Sequence, residues 1–264
     1  DRHKTVQPGE SFAAPKAFLS VGRSLQGVCN QLTGLHQKYV QLQPASEQEL
    51  PVICNEWCTS WGNPNEDEIL ALGRKFAGTP VKYIVIDAGW SKSTNPHLGQ
   101  GGNGDWALDP DKFPHGLLPV SRVLTYLKEK VLRLIQENEI GYLKVDYNGS
   151  IGIGCDGAES LGEGLRQQMQ AVRDFFLLLR RECPSLVIEN CSSGGHRLEP
   201  SMMDITALSS STDAHECLDV PIITANTDLL ILPRQNFVFC TLDHSHDLRR
   251  MRYCISSGFM GRMG

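Results

Sequence analysis

Short apolar runs alternate with longer amphipathic ones along this chain. Four of the short runs are Pro51–Trp57 (PVICNEW), Val81–Trp90 (VKYIVIDAGW), Ile140–Asn148 (IGYLKVDYN) and Leu186–Asn190 (LVIEN). Each carries β-branched or aromatic residues and closes on polar ones. That is the pattern of a parallel strand buried on both faces, with its chemistry at the C-terminal end. The longer runs have helical spacing. Asn65–Phe76 opens with Asn65 as a capping residue before an acidic first turn, Glu66, Asp67 and Glu68. Ser121–Asn138 repeats Val123, Leu124, Leu127, Val131, Leu134 and Ile135 on one face. Ser160–Arg181 does the same with Leu165, Met169, Val172, Phe176 and Leu179, and stops before Cys183-Pro184. Residues 25–43 also read as helical. Residues 1–22, with Pro8, Gly9, Pro15 and the apolar Ala17–Val21, read as one or two strands and a connector. The Gly-, Asn- and Pro-rich stretch 91–119 reads as a long loop, which in a compact domain is usually functional or hides a further element. Strands alternating with helices predict an α/β fold, and polar strand ends predict a barrel with an active face.

Composition narrows the partners. The 264 residues hold 25 Lys+Arg against 30 Asp+Glu, a formal net charge of −5. That balance argues against nucleic acid and against a polybasic membrane patch. Hydrophobic residues make up 41%, enough for a real core. No apolar run approaches the roughly 18 residues of a transmembrane helix. The polar stretch Asp1–Glu10 is unlike a signal peptide. Nine cysteines, an odd number, favour a reducing, cytoplasmic setting over a disulfide framework. Cys54 and Cys58 have no CxxC partner, and no metal is expected there. The His-rich Asp243–Asp247 reads as a solvated loop.

The candidate chemistry lies at the strand ends. Asp87 closes one strand. Lys144 and Asp146 alternate on another and so face the same side, either as a surface ion pair or as part of a polar barrel mouth. Glu189–Arg197 (ENCSSGGHR) follows a strand and is small and polar, suited either to a tight turn or to close approach by a ligand. Ser209–Glu216 (SSSTDAHE) places Asp213 beside His215, either in a site or at a helix start capped by Thr212 or Asp213. Taken together, the carboxylates Asp146 and Asp213, the aromatic walls Trp57, Trp90 and Trp106, and the polar groups Asp87, Lys144 and Glu189–Ser193 fit glycoside hydrolysis. Neither carboxylate role needs a metal or a cofactor, and none is expected.

LKVDYN, ENCSSGGHRLEP, the SSTDAHE segment, VIDAGW, GDWALDPDKFPHGL and GFMGRMG occur in order over residues 51–264. Together they resemble glycoside hydrolase family 36, the bacterial α-galactosidase family. The resemblance implies a (β/α)8 TIM-type barrel over 51–264, with 25–50 a helical linker and 1–24 the end of an N-terminal β-domain. The barrel looks incomplete. A strand with an E-P-E-like end and a nearby Arg has no counterpart near 119–121, and the family's last barrel turn and C-terminal domain would lie beyond Gly264.

By position, the resemblance makes Asp146 the nucleophile and Asp213 the acid/base. It makes Trp57, Asp87, Trp90, Trp106, Lys144, Asn148, Cys191 and Gly194 substrate-binding. Lys144 would hold sugar hydroxyls and favour an ionised Asp146. Cys191 and Gly194 would lie near the 2-hydroxyl, and a buried Asp213 would keep its proton. The family's D-D-G-W is here Asp87-Ala88-Gly89-Trp90, and its trailing Asp is here Glu216. Loss of the second acid leaves room for α-N-acetylgalactosaminides or galactosyl transfer beside α-galactoside hydrolysis, and for a sugar-binding module without activity. The implied partner is an α-linked oligosaccharide, and family members are commonly homo-oligomers.

Overall fold

A computed structural model describes residues 3–40, 43–92, 108–114, 127–146 and 159–264. Helix α1 (Leu25–Val40) and a 3-10 turn (Ala45–Glu49) precede strand β1 (Val52–Asn55) and the one-turn helix α2 (Trp57–Ser60). Then come α3 (Glu66–Phe76), β2 (Val81–Val85), α4 (Leu127–Glu137), β3 (Tyr142–Asp146), α5 (Leu161–Glu182) and β4 (Val187–Cys191). The chain continues through α6 (Pro200–Met203), β5 (Leu208–Ser210), α7 (Asp219–Thr227), β6 (Asn236–Val238), α8 (Leu248–Gly258) and β7 (Arg262–Met263).

Among the described residues every pairing between these strands is parallel. β1 pairs with β2, and β3, β4, β5, β6 and β7 follow one another in chain order. Among the described residues β2 and β3 are not hydrogen-bonded to each other, although the Tyr83 and Tyr142 rings meet across the gap at 5.3 Å. At the other side β7 meets the entrance of β1. Arg262 donates to the Pro51 carbonyl at 3.0 Å and pairs with Glu47 at 2.6 Å, both side chains being buried.

The four sequence-predicted strands all form, as do the helices at 66–76 and 161–182. Asn65 and Ser160 cap these helices as expected, accepting from the Glu68 and Glu163 amides at 3.0 and 3.2 Å. The expected helix at 121–138 is described from Leu127. The long loop at 91–119 and the strand sought near 119–121 lie largely outside the described residues. Two expectations are corrected. Residues 3–24 form no strand; they run as turns and extended chain, tied to α5 where Thr5 N–H donates to Glu159 at 2.6 Å and His3 N–H donates to Ser160 Oγ at 3.1 Å. Thr212 and Asp213 do not cap a helix, since α7 starts at Asp219. No described helix is long and apolar enough to cross a membrane, and the eight described cysteines are free thiols.

Alternation along the strands sorts two apolar layers. Val187 faces Ile53, Val85, Tyr142, Leu208 and Phe237 inside the sheets. Its neighbour Ile188 faces Val131, Ile135, Phe176, Leu179 and Met202 on the helix side. β4 is buried at all five positions, apolar at its start and carrying the buried polar Glu189 and Asn190 towards its end.

Candidate active site

The strand register builds the site in tiers. Lys144 pairs with Glu189 and Asp146 with Cys191 across β3 and β4, so these four side chains share the inner face. Tyr142 and Val187 lie one tier below, in the apolar interior.

The middle tier is a buried charge network. Tyr142 OH donates to Glu189 Oε2 at 2.6 Å, and Ser210 Oγ donates to Glu189 Oε1. Burial pushes the Glu189 carboxyl pKa up, against the pull of the Lys144 charge and these two donors. Glu189 is 1% exposed, so it supports the site from beneath rather than binding hydroxyls at the mouth as its motif suggested. Lys144 reaches across to β2 and pairs with Asp87 Oδ2 at 2.9 Å, each side chain being 13% exposed. Burial would lower the Lys144 pKa, but Glu189 and Asp87 together drive it up. Burial likewise pulls Asp87 upward; Lys144 and the Asn55 and Ala88 donors, at 2.7 Å each, outweigh it and hold the carboxyl below its usual value. Of the two readings of Lys144 and Asp146, the surface ion pair between them is not the one that forms: the ion pair Lys144 makes among the described residues is with Asp87. Two residues apart on one strand, Lys144 points down into the network while Asp146 stands at the rim.

The Asp87 loop is fixed from both sides. Its N–H donates to the buried Glu56 at 2.9 Å, and Lys112 Nζ donates to the Gly89 carbonyl at 2.7 Å. Gly89 has φ +102°, and a Cβ there would overlap the Gly62 carbonyl, so Ala88-Gly89-Trp90 packs onto the turn after α2. Trp90 is half-buried, with its carbonyl accepting from Asp109 N–H at 3.0 Å.

The upper tier joins the two carboxylate-bearing segments. Ser193 N–H donates to Asp146 Oδ1 at 3.3 Å. The next residue, Gly194, has φ +63°, and a Cβ there would overlap the Thr212 backbone and press on the Asp213 amide. Gly195 N–H donates to the Ser210 carbonyl at 3.0 Å. The Ser-Ser-Gly-Gly run is thus small because two chain segments meet across it. Cys191 lies under this turn, 1% exposed, its thiol pushed up to about 12 by burial despite the Lys144 charge. Asp146 and Asp213 are both exposed, which corrects the expectation of a buried Asp213.

Trp57 is half-buried at the β1 end, its ring 6.4 Å from Trp61. The structure therefore brings Trp57, Asp87, Trp90, Lys144, Asp146, Cys191, Gly194 and Asp213 to the C-terminal ends of successive strands. Trp106 and Asn148 lie outside the described residues. Sequence reasoning missed Asn55, Tyr142 and Ser210. A polar side chain inside a strand was the available signal for Asn55 and Ser210, and Tyr142 read simply as core. Among the described residues no three His, Cys, Asp or Glu side chains are grouped to hold a metal ion. Asp243 and His244 are exposed, and Asp247 caps α8, accepting from Arg250 N–H at 2.7 Å.

Parallel strands in chain order, with polar groups gathered at their C-terminal ends, define a protein of the (β/α)-barrel enzyme type. The sequence model described as Melibiase matches residues 11–122 and 118–251, and the chain belongs to that family, of the glycoside hydrolase family 36 type. The two matched stretches overlap over 118–122. α-Galactosidase 2 of Pediococcus pentosaceus is 26% identical over 87% of this chain and 39% of its own length. The α-galactosidase of Escherichia coli is 22% identical over 82% of this chain and 38% of its own. Among solved structures, a variant of the family 36 α-galactosidase AgaA from Geobacillus stearothermophilus, in complex with 1-deoxygalactonojirimycin, superposes with a TM-score of 0.74 at 17% identity. That likeness covers 92% of this chain and 42% of AgaA. The α-galactosidase of Lactobacillus brevis gives 0.73 at 15% identity, over 92% and 41%. The chain thus spans about two-fifths of the length of these relatives, and its fold is that of part of their TIM-barrel catalytic domain.

Proposed function

We propose that the protein is a retaining α-glycosidase that releases terminal α-linked galactose, or a close relative of it, from oligosaccharides. The observation that carries this reading is the Ser193–Gly194 turn, which touches Asp146 on one side and the Thr212–Asp213 backbone on the other. Two carboxylate-bearing segments against one small turn, walled by Trp57 and Trp90, suit a pyranose held between a nucleophile and an acid. Relatives named α-galactosidases, and an AgaA variant solved in complex with raffinose, support the choice of sugar.

In this mechanism Asp213 donates its proton to the glycosidic oxygen as the bond from C1 to that oxygen breaks. An Asp146 carboxylate oxygen forms the new bond to C1. Asp213, now ionised, takes a proton from water, whose oxygen attacks C1 and displaces Asp146 with net retention. Lys144 and Asp87 hold each other at the floor, where both can reach ring hydroxyls. The reading places 51–264 in the catalytic barrel, 25–50 in a linker and 1–24 at the end of a β-domain. The free thiols favour a cytoplasmic setting, and self-association follows from the family resemblance.

Replacing Asp146 by Ala is expected to abolish hydrolysis of aryl α-galactosides, and near-wild-type activity would sink the assignment. Product analysis at high acceptor sugar concentration separates hydrolysis from transfer. Binding of galactose without turnover by the unaltered protein would identify an inactive sugar-binding module instead.

A further inference from the structure

A second group of rings stands at the mouth, beyond the residues assigned to the galactosyl ring. Trp61 follows α2 in a left-handed conformation, φ 51° and ψ 46°, with its N–H donating to the Trp57 carbonyl at 2.8 Å. Bulky residues seldom adopt that region, and such outliers gather at functional sites. The conformation turns the indole outward, where it is 64% exposed. His215 lies 6.0 Å from it, ring centroid to ring centroid, at 65°. The imidazole is fixed from two further sides. Cys58 Sγ is 3.6 Å from Nδ1, and the Phe239 ring is 6.2 Å away. Phe239 packs edge-on against the buried Phe237 at 5.1 Å. A row of rings, Trp57, Trp61, His215, Phe239 and Phe237, therefore runs from the end of β1 to β6 and is anchored in the core.

His215 stands two residues after Asp213. A general acid must reach the oxygen that leaves, so the leaving group lies on the Asp213 side of the scissile bond. Among the described residues, His215, two residues from Asp213, and Trp61, packed on His215, are exposed rings that this side offers. Aromatic faces are the usual walls for the apolar C–H faces of a sugar. Resting on the α-galactosidase reading above, we propose that Trp61 and His215 form the leaving-group subsite, a stacking platform for the sugar that an α-galactoside loses. A sugar seated there would cover Asp213, which is exposed in the free protein. Ring contacts with Trp57 and Phe239 hold the platform in place.

The test compares two donors in the intact protein. Raffinose has a bulky sugar leaving group; α-galactosyl fluoride releases only fluoride, which cannot reach Trp61. For Trp61→Ala the expected loss in kcat/KM on raffinose is about tenfold or more, with α-galactosyl fluoride changed by less than about twofold. Trp61→Tyr should restore most of the raffinose activity, and His215→Ala should give a smaller loss with the same selectivity. Inhibition by added sucrose should weaken in parallel. Equal losses on both donors would overturn the proposal, as would no loss on either. A change in oligomeric state with raffinose activity intact would show that a second copy covers Trp61 and would also overturn it. If the unaltered protein turns over neither donor, the α-galactosidase reading fails and the subsite falls with it.

Discussion

Asp146 and Asp213 are both exposed, and the proposed mechanism gives them opposite duties that a pair of donors with different leaving groups can separate. Asp213→Ala should cost about 10²–10⁴-fold in kcat/KM on raffinose, whose leaving group needs protonation, and far less in kcat/KM on α-galactosyl fluoride, although kcat falls on both because the base for the second step is lost. Equal losses in kcat/KM on the two substrates would argue against an acid role. Beneath them, the Lys144–Asp87 pair sets a pH window. The Asp87 pKa is held below its usual 3.8, so its contribution to stability is present above that value and is lost as pH falls through the folded one. The Lys144 pKa is raised above its usual 10.5, so its contribution is present below that value and is lost at higher pH. Asp87→Asn should therefore destabilise by about 3 kcal/mol, flat from about pH 5 to 9 and shrinking outside that range, as read by urea unfolding. A penalty that grows on acidification would contradict the pairing. Cys191, its thiol pushed up to about 12 and sealed under the Ser193–Gly194 turn, should resist iodoacetamide at neutral pH until the protein is unfolded. Peptide mass analysis before and after denaturation checks this.

Elements differed in how plainly the sequence announced them. β4 starts between two apolar layers, so Leu186, Val187 and Ile188 run without alternation and the strand is legible from this short apolar start and its polar end. α3 and α5 declare their starts because Asn65 and Ser160 cap them. Ser160→Ala should cost about 1 kcal/mol in thermal unfolding experiments, and more if the His3 contacts are lost with it. β5, β6 and β7 were not legible. They span two or three residues each, LSS, NFV and RM, and carry buried Ser, Asn and Arg, so neither length nor hydrophobicity marks them. Their polar residues reach tertiary partners that no short local window contains: Ser209 donates to the Asn190 carbonyl at 2.7 Å, Asn236 Nδ2 to Asp228 at 2.9 Å and Arg262 to Glu47. α7 hid for another reason. Its Asp-Val-Pro-Ile-Ile-Thr-Ala-Asn-Thr run has no polar face and carries Pro221, tolerated because it falls in the first turn. The candidate carboxylates Asp146 and Asp213 stand out through motif resemblance, whereas the partner of Lys144 depends on which strand lies beside it, a fact of topology.

At the scale of the whole molecule, a bolt at the bottom of the sheets holds the described strands together while the chemistry sits at the top. Arg262 on β7 spans to Pro51 and Glu47, and Arg234 donates to the Glu47 carbonyl at 2.7 Å. The strand that ends the five-stranded sheet is thereby tied to the segment that begins the two-stranded one. Glu47→Gln leaves the Arg262 charge buried without a counter-charge and should destabilise by about 3–5 kcal/mol, with cooperative loss of structure in both sheets. A change below about 1 kcal/mol in chemical unfolding would mean that β7 and β1 hold together without it. Bottom-face residues such as these should affect stability and leave the substrate preference untouched, the division of labour that barrel enzymes show.

The most direct test of the account is to trap the covalent intermediate. Incubation of the intact protein with 5-fluoro-α-galactosyl fluoride, which forms the glycosyl-enzyme faster than it hydrolyses, followed by proteolysis and tandem mass spectrometry, identifies the nucleophile. The account predicts a fluorogalactosyl adduct on the peptide from Tyr142 onward, with the bond to Asp146. An adduct on any other residue, or steady turnover of galactosides with no adduct, would contradict it.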